Sequence, residues 1–568
     1  MLQLTALVEA FKRRFGKRPA VAAASQAASP EGIANLISTN PAGWRAAVDA
    51  PKNGARVLVA TNVTGFQHAS LLESLLAISL TLRGAEVHLI ACDAVLPACL
   101  KVEPHSVPDP AAIVSGEFRN TICKGCMAVG EAHFAPLGLV QHRLSDLVCE
   151  ADRDAVRKQL AGRDREALST HRSAEGDELG MQGLAGALRY YASATLPAGP
   201  QADEVLRRFV EAAALTALAY ERLLARERFD VAVFHHGIYV PQGPAGDVLR
   251  RKGVRVVNWN PSYRRSTFIF SHGDTYHHTL MTEPTAAWDS MAWSAKEEDD
   301  ILSYLQSRAT GTRDWIWFHE KPDNDTRRFV AELGLDIEKP IIGMLSNVAW
   351  DAQLHYPANA FPNMIAWVFE TIDYFSQRPD LQLLLRIHPA EIRGTVPSAQ
   401  PLLGEIEARY PTLPQNIFII APESNISTYA AMALCDTVLI YGTKTGVELT
   451  AVGKPVIVAG EAWIRNKALT QDAESRDDYI ALLDKLPAGA MLAPQTIERA
   501  RQYAYHFFFR RMVPLPFVVP AQGKIYGIDL PSIDALRPGQ FPGLDVVCEG
   551  ILSGTPFIYE AERIGLHA

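Results

Sequence analysis

No stretch of this sequence stays apolar long enough to cross a bilayer. The most apolar run, LLESLLAISLTL from Leu71, is short and is broken by Glu73, whereas a spanning helix needs ~20 apolar residues. Cysteine is scarce, 7 in 568 residues, which excludes a fold built on disulfides. There is no basic excess: Lys and Arg number 55 against 63 Asp and Glu, a formal net charge of −8, so nucleic acid is not an expected partner. Solenoid-length repeats and low-complexity tracts are missing, and with them repeat arrays and long linkers. The amino-terminal MLQLTALVEAFKRRFGKRP puts its short apolar stretch before its basic cluster, the reverse of a secretion signal. What is present, 48% hydrophobic and 21% charged residues, is the composition of a folded chain. The length suits two or three domains at ~100–200 residues each. A cytoplasmic protein of enzyme size is expected.

Strand-like and helix-like segments alternate along the chain, the pattern of α/β layers. Residues 1–50 are Ala-rich and weakly patterned, which suggests helices and loops. ARVLVAT (55–61), a loop NVTGFQHA, a helix ending at Gly84 and AEVHLIAC (85–92) form one βαβ unit. Its continuous apolar runs suit a parallel sheet covered on both faces. Residues 150–227 show apolar spacings of 3 and 4 and read as a helical insertion; FDVAVFHH (229–236) and VRVVNWN (254–260) return to strand. Residues 284–338, with Trp288, Trp293, Trp315 and Trp317, are polar and helical and form a hinge. A second α/β series follows over 339–494: PIIGMLSN, LQLLLRIHP, NIFII, DTVLIYG and KPVIVAG are its strands. The last part, 495–568, opens with IERARQYAYHFFFRRM, an expected amphipathic helix. The domains are therefore 1–283, the hinge 284–338, 339–494 and the extension 495–568. Phe507, Phe508, Phe509, Arg510 and Arg511 could touch anionic lipid, although such a stripe more often packs in a core.

The second half carries two linked motifs. LLLRIHPAE sets Arg386, His388 and Glu391 at or just past the carboxyl end of a strand, the end that faces the ligand crevice in open α/β sheets. Pro389 stops the strand because it cannot donate to a ladder. Arg and His inside an apolar run need partners, and a phosphate or carboxylate would supply them; a structural ion pair and a loop cap would do so equally. About 55 residues on, LIYGTKTGVELTAVGKPVIVAG ends a strand and opens a helix. Gly446 and the small residues around it let backbone N–H groups approach an anion; Thr443 and Thr445 add hydroxyls, Lys444 adds charge, and Glu448 could accept from ribose hydroxyls. The plainer alternative is a strand–turn–helix with Thr445 as N-cap. The P-loop pattern GxxxxGK[ST] is absent. Just after the next strand, WIRNKALTQDA offers Arg465, Asn466 and Lys467 for donor phosphate or sugar carboxylate, or a solvated loop.

RIHPAE, YGTKTGVELTAVGKPVIVAG and WIRNKALTQDA together resemble bacterial capsule and surface-polysaccharide glycosyltransferases, among them Kdo transferases that build lipid-linked capsule primers. The HP motif and a hydroxyl loop before a helical Glu are also similar to bacterial sialyltransferases. The resemblance covers the carboxyl-terminal ~130 residues. It implies the GT-B fold: two Rossmann-like doubly wound domains facing across a cleft, with a last helix returning to the first. It implies that His388, Thr443, Thr445 and Glu448 hold the phosphate of a nucleotide-activated sugar such as a CMP-sugar. Lys444 departs from the Ser, Thr or Gly usual at its position. The expected partners are a nucleotide-sugar donor and a glycan or lipid-linked acceptor, with peripheral contact to the inner membrane. The loop neutralises the leaving phosphate, so catalysis needs no cofactor or divalent metal. Two alternatives keep the fold: a CDP-alcohol-dependent glycerophosphotransferase of teichoic-acid type, and a non-catalytic nucleotide-binding subunit.

The acceptor side is expected in the first half. HHGIYVPQG (235–243) and NWNPSYRRSTFIFSHGDTYHH (258–278) each follow a strand. They concentrate His235, His236, Tyr239, Arg264 and Tyr276 as acceptor contacts, and Asp274 and His272 as catalytic bases. His spacing there matches neither HExxH nor a facial triad. Gly65 and His68, in the first loop, read as a packing turn. Cys92, Cys99, Cys123 and Cys126 cluster in CDAVLPAC and CKGC. They admit a structural zinc, buried reduced thiols, or a disulfide or cluster, none of them the catalytic centre.

Overall fold

The computed structural model describes residues 32–52, 54–308, 313–315, 322–394, 396–489, 491–521 and 524–566. The helices and loops expected before residue 32, and Trp317 of the hinge, lie outside the described residues.

The first domain is built on one sheet. β1 (Arg56–Asn62), β2 (Glu86–Ala91), β3 (Val140–Arg143), β4 (Val231–His235) and β5 (Arg255–Pro261) run parallel in the order β3-β2-β1-β4-β5. β6 (Thr267–His272) adds to β5 in antiparallel sense, Trp259 opposite Phe270. β1 and β4 are rich in β-branched residues and buried almost throughout, as central parallel strands must be. Helix α1 (Gln67–Thr81) covers one face and is buried from Ala69 to Thr81. Three of its hydroxyls are satisfied within the helix: those of Ser74, Ser79 and Thr81 donate to carbonyls four residues back at 2.7–2.8 Å. Helix α2 (Pro200–Arg226) covers the other face, and its Tyr220 hydroxyl donates to Asn62 Oδ1 at 2.8 Å, at the carboxyl end of β1. After β6 comes helix α3 (Tyr276–Thr282), and the hinge contributes α4 (Ala295–Arg308).

The second domain repeats the plan. β7 (Ile341–Leu345), β8 (Gln382–Arg386), β9 (Ile417–Ile420), β10 (Thr437–Ile440), β11 (Val456–Val458) and β12 (Gln471–Asp472) are all parallel, in the order β9-β8-β7-β10-β11-β12. Both sheets thus reverse direction beside their first strand, between β1 and β4 and between β7 and β10. That switch point is where a crevice opens at the carboxyl ends of the strands. Helix α5 (Thr445–Ala451) follows β10.

The chain then crosses back. Helix α6 (Pro494–Tyr505) passes into a π-helical turn over His506–Arg510. α6 is amphipathic as expected, with Gln495 and Glu498 exposed and Ala500, Tyr503 and Ala504 buried, whereas the turn that follows is covered: Phe507, Phe508 and Phe509 are 2% exposed or less. They therefore present no surface to a lipid. Arg264 Nη1 donates to Phe508 O at 2.9 Å, and Arg511 donates to the carbonyls of Phe557 and Phe270. β13 (Val513–Pro514) then pairs with β6, Val513 opposite Phe268, as the seventh strand of the first sheet. Helix α7 (Pro542–Ser553) lies against α1, and Arg255 donates to its Gly550 and Leu552 carbonyls at 3.0 Å. Two Rossmann-like domains with a carboxyl-terminal segment returning to the first make this a GT-B-like fold.

Candidate functional site

At the switch point of the second sheet, Asn347 binds the loop after β10 from both sides. Its Nδ2 donates to Gly442 O at 2.7 Å and its Oδ1 accepts from Gly442 N at 3.4 Å. Thr443 and Thr445 follow, their hydroxyls 3.1 Å apart, and Thr443 Oγ1 accepts from Thr445 N. The helix N-cap is Lys444 rather than Thr445, and it makes no side-chain cap bond. His388 stands after β8. Its backbone N–H donates to Ser346 Oγ at 2.9 Å, and its Nδ1 accepts from Ala390 N at 3.0 Å. A ring nitrogen that accepts an amide N–H carries no proton, so the neutral imidazole has its hydrogen on Nε2. The carboxyl ends of β10 and β8, with β7 between them, thus carry two hydroxyls on one loop and a tautomer-fixed imidazole on the other.

Other residues nominated from the sequence are engaged within the protein. Arg386 is 1% exposed and donates to Ala421 O at 2.5 Å and Ser424 O at 3.1 Å; burial lowers its pKa to about 10. Both oxygens of Glu391 lie 3.3 Å from Leu402 N, and burial pushes its carboxyl up to about 7. Glu448 Oε1 meets Arg308 Nε at 2.8 Å and Lys444 Nζ at 2.9 Å, while Oε2 accepts from Tyr429 at 2.7 Å. Burial opposes its charge, but Arg308 and Lys444 hold its pKa below the usual carboxylate value. Lys444 also lies 4.8 Å over the Tyr263 ring. Arg465 donates to Gly460 and Ala473 carbonyls, and Asn466 N to Asp472. Lys467 caps the end of α3 through the carbonyls of Met281 and Glu283, and burial pulls its pKa down to about 8.

The first domain contributes a buried imidazole cluster at the ends of β1 and β4. His68, His235, His236 and Tyr239 follow one another with ring centroids 5.4–5.5 Å apart from His68 to His236 and from His236 to Tyr239. Burial lowers all three imidazoles: His68 to about 4 with help from Lys101, His236 to about 3, and His235 well below its ordinary value. Glu73 lies beneath them, 0% exposed, accepting from His235 N at 2.7 Å and Trp259 Nε1 at 2.9 Å; burial pushes its carboxyl up to about 7. The backbone is strained here. His236 and Tyr239 have φ of 72° and 65°, a region that costs a non-glycine residue ~1–3 kcal/mol. Gly237 lies between them at φ 85°, where a Cβ would come 2.5 Å from Asn258. Across the cleft the loop after β7 meets this turn: Tyr239 Oη lies 3.1 Å from Asp351 Oδ1 and accepts from Ala352 N at 2.8 Å, and Ala352 has φ 53°.

The two domains are also bridged through α3. Asp274 Oδ2 is 2.8 Å from His278 Nδ1, and His278 Nε2 is 3.2 Å from Glu461 Oε2. Burial works against charge on His278, but the two carboxylates carry it up to about 10; Glu461, against its own burial, is held at about 2 by His277 and His278. Glu461 adjoins the hydroxyl loop, since its carbonyl lies 3.1 Å from where a Cβ on Gly442 would stand. Asp274 is exposed, whereas His272 bonds Thr555 O through Nε2 at 2.8 Å and stacks on Phe557 at 4.4 Å. Arg264 is buried beneath the π-helical turn and lies over the Phe509 ring; Tyr276 packs on Trp463. Cys92, Cys99, Cys123 and Cys126 are free thiols. Burial pushes Cys92 up to about 11 and Cys123 up to about 12, and the neighbouring thiols add to both. Among the described residues no group of three or more His, Cys, Asp or Glu is arranged to hold a metal, and no helix is long and apolar enough to cross a membrane.

Sequence reasoning missed Glu73, Asn347, Asp351 and Glu461. The signal available for Asn347 and Asp351 was the loop from Ser346 to Asn363, which follows a strand end and is longer than the ~12–15 residues of an ordinary connection.

No protein-family model matches the chain, and no curated protein sequence matches it significantly. Solved structures align with it at low similarity. The KpsC β-Kdo 2,4 transferase of Thermosulfurimonas dismutans is 11% identical over 48% of this chain and 79% of that one, with a TM-score of 0.32. The KpsC β-Kdo 2,7 transferase of the same organism is 14% identical over 50% and 79%, with a TM-score of 0.29. The UDP-GlcNAc 2-epimerase of Methanocaldococcus jannaschii, in complex with UDP-GlcNAc and UDP, is 10% identical over 78% and 98%, with a TM-score of 0.25. The architecture described here rests on the two sheet orders and the returning carboxyl-terminal segment, not on these alignments.

Proposed function

We propose that the chain is a glycosyltransferase that moves a sugar from a nucleotide-activated donor to a glycan or glycolipid acceptor. The donor nucleotide occupies the second domain and the acceptor the first. The observation that carries this reading is the short path across the cleft: Asp274 to His278, His278 to Glu461, and Glu461 against the Gly442 loop. A base on one domain and an anion-binding loop on the other thereby adjoin, as transfer between two bound substrates requires.

In this mechanism Thr443, Thr445 and the Nε2–H of His388 hydrogen-bond the leaving phosphate and stabilise its growing charge. Asp274 accepts the proton of the attacking hydroxyl. Asp274 is the exposed one of the three, whereas His278 is already protonated at neutral pH and His272 is stacked on Phe557. The motif resemblance to capsule and sialic-acid-type transferases supports a CMP-linked, Kdo-like donor. A thermal-shift screen tests the reading first. A nucleotide sugar present at 100 times its Kd should stabilise by ~2.7 kcal/mol, whereas a response to CDP-alcohols alone, or to no nucleotide, rejects it. With the donor found, His388→Ala should lower kcat by ~10²–10³-fold in protein that still folds.

A further inference from the structure

A second polar concavity lies away from the imidazole cluster. Cavities of about 400 and 240 Å³ adjoin between α2, the helix Glu150–Leu160 and the segment around Arg119, and both are lined by Arg157 and Arg208. The first also holds Arg207, Glu204 and Glu211; the second holds Arg119. Four guanidinium groups therefore face two carboxylates.

The partners are unevenly shared. Arg207 is fully engaged, with Glu204 and the carbonyls of Leu160 and Arg163. Glu211, 1% exposed, is shared by Arg157 and Arg208 at 2.9 Å each. Arg208 also reaches Glu204 at 3.1 Å, and Arg157 lies 3.4 Å from the exposed Glu150 and Asp154. Arg119 has no carboxylate partner among the described residues. The Nε atoms of Arg119 and of Arg208 are both buried without a hydrogen bond. Guanidinium donors taken from water need an acceptor, and a phosphate or carboxylate is the one that matches their geometry.

The groove's place follows from α2. Tyr220 of α2 is already level with the carboxyl end of β1, through its bond to Asn62. At 1.5 Å per residue, Arg208 and Glu211 lie roughly 14–18 Å from it, toward the amino end of the helix.

We infer that this groove binds a phosphate or carboxylate group of a ligand, with Arg119 as its unneutralised contact and Arg157 and Arg208 as its walls. The binding stands independently of the transferase reading; only the further step, that the group belongs to an acidic acceptor, rests on that reading. The shared chemistry has two sources, a soluble phosphorylated or carboxylated molecule and an anionic lipid headgroup.

The test is isothermal titration of the full chain with inorganic pyrophosphate. Binding should weaken at least 10-fold in Arg119→Gln and in Arg119→Glu, and fall with added salt. Melting of Arg119→Gln should match the parent, because that side chain has no ion pair to lose. Absence of any pyrophosphate binding, or binding that ignores Arg119, overturns the inference. Flotation with phosphatidylglycerol vesicles, compared with phosphatidylcholine, separates the sources. Arg119-dependent flotation assigns a headgroup; pyrophosphate binding without flotation assigns a soluble ligand; flotation that ignores Arg119 counts against the site. None of these readouts requires glycosyl transfer, so their failure is distinct from failure of the proposed activity.

Discussion

Glu448 shows what a single position does and does not reveal. Its place after a hydroxyl loop suggests a ribose acceptor. Its partners, however, include Arg308 from the hinge and Tyr429 from another helix, which no local spacing could disclose. Arg308 in turn contacts Asp314 and lies against the rings of Tyr304 and Phe508. The carboxylate therefore neutralises two buried cations, and Glu448→Gln should destabilise the fold by ~3–5 kcal/mol, the cost of breaking a buried ion pair. Urea unfolding measures this. A stable variant with weakened nucleotide binding would instead return Glu448 to the ribose. His388 was legible for the opposite reason: a polar residue at a strand end before proline is a local pattern. Asp351 and Glu461 lacked such a pattern, because single carboxylates in irregular loops carry no period.

Strands were readable where burial on both faces demanded continuous apolar residues. β1, β2, β4, β5, β7, β8 and β10 are of this kind. β3 was not, since Val140–Arg143 is a largely exposed edge strand with one apolar residue. β13 was not either: it is a Val-Pro pair at a sheet edge, where proline's missing donor costs nothing. The return segment reads as an amphipathic helix because Arg and Gln alternate with aromatics. Its turn over His506–Arg510 is buried, and Arg510 and Arg511 meet backbone carbonyls and carboxylates there. Phe508 is 0% exposed and meets the Tyr304 ring at 4.9 Å. Phe508→Ala should cost ~3–5 kcal/mol by opening a cavity between the hinge and the return segment. Denaturant unfolding checks it, and a loss below 1 kcal/mol would mean that the surrounding rings collapse into the space.

Between whole domains an ionisable bridge stands beside apolar and aromatic packing, and the balance of that bridge should move with pH. Asp274 and His278 belong to the first domain and Glu461 to the second; His277, Tyr356 and Trp463 pack around them. The folded state raises His278 from 6.5 to about 10, so its contribution is complete below about pH 6.5 and is lost as pH rises through about 10. It lowers Glu461 from 4.5 to about 2, so that contribution is complete above about pH 4.5 and is lost as pH falls through about 2. The bridge is therefore strongest between about pH 4.5 and 6.5. Other buried groups titrate over the same range, Lys467 at about 8 among them, so the bridge is isolated by difference. The melting temperature of the parent should fall more steeply from pH 6.5 to 10 than that of His278→Gln, which has no proton to lose there. Parallel slopes would show that His278 is not charged between the two carboxylates. A steeper slope confined to the parent would make protonation of one imidazole a term in holding the two domains together.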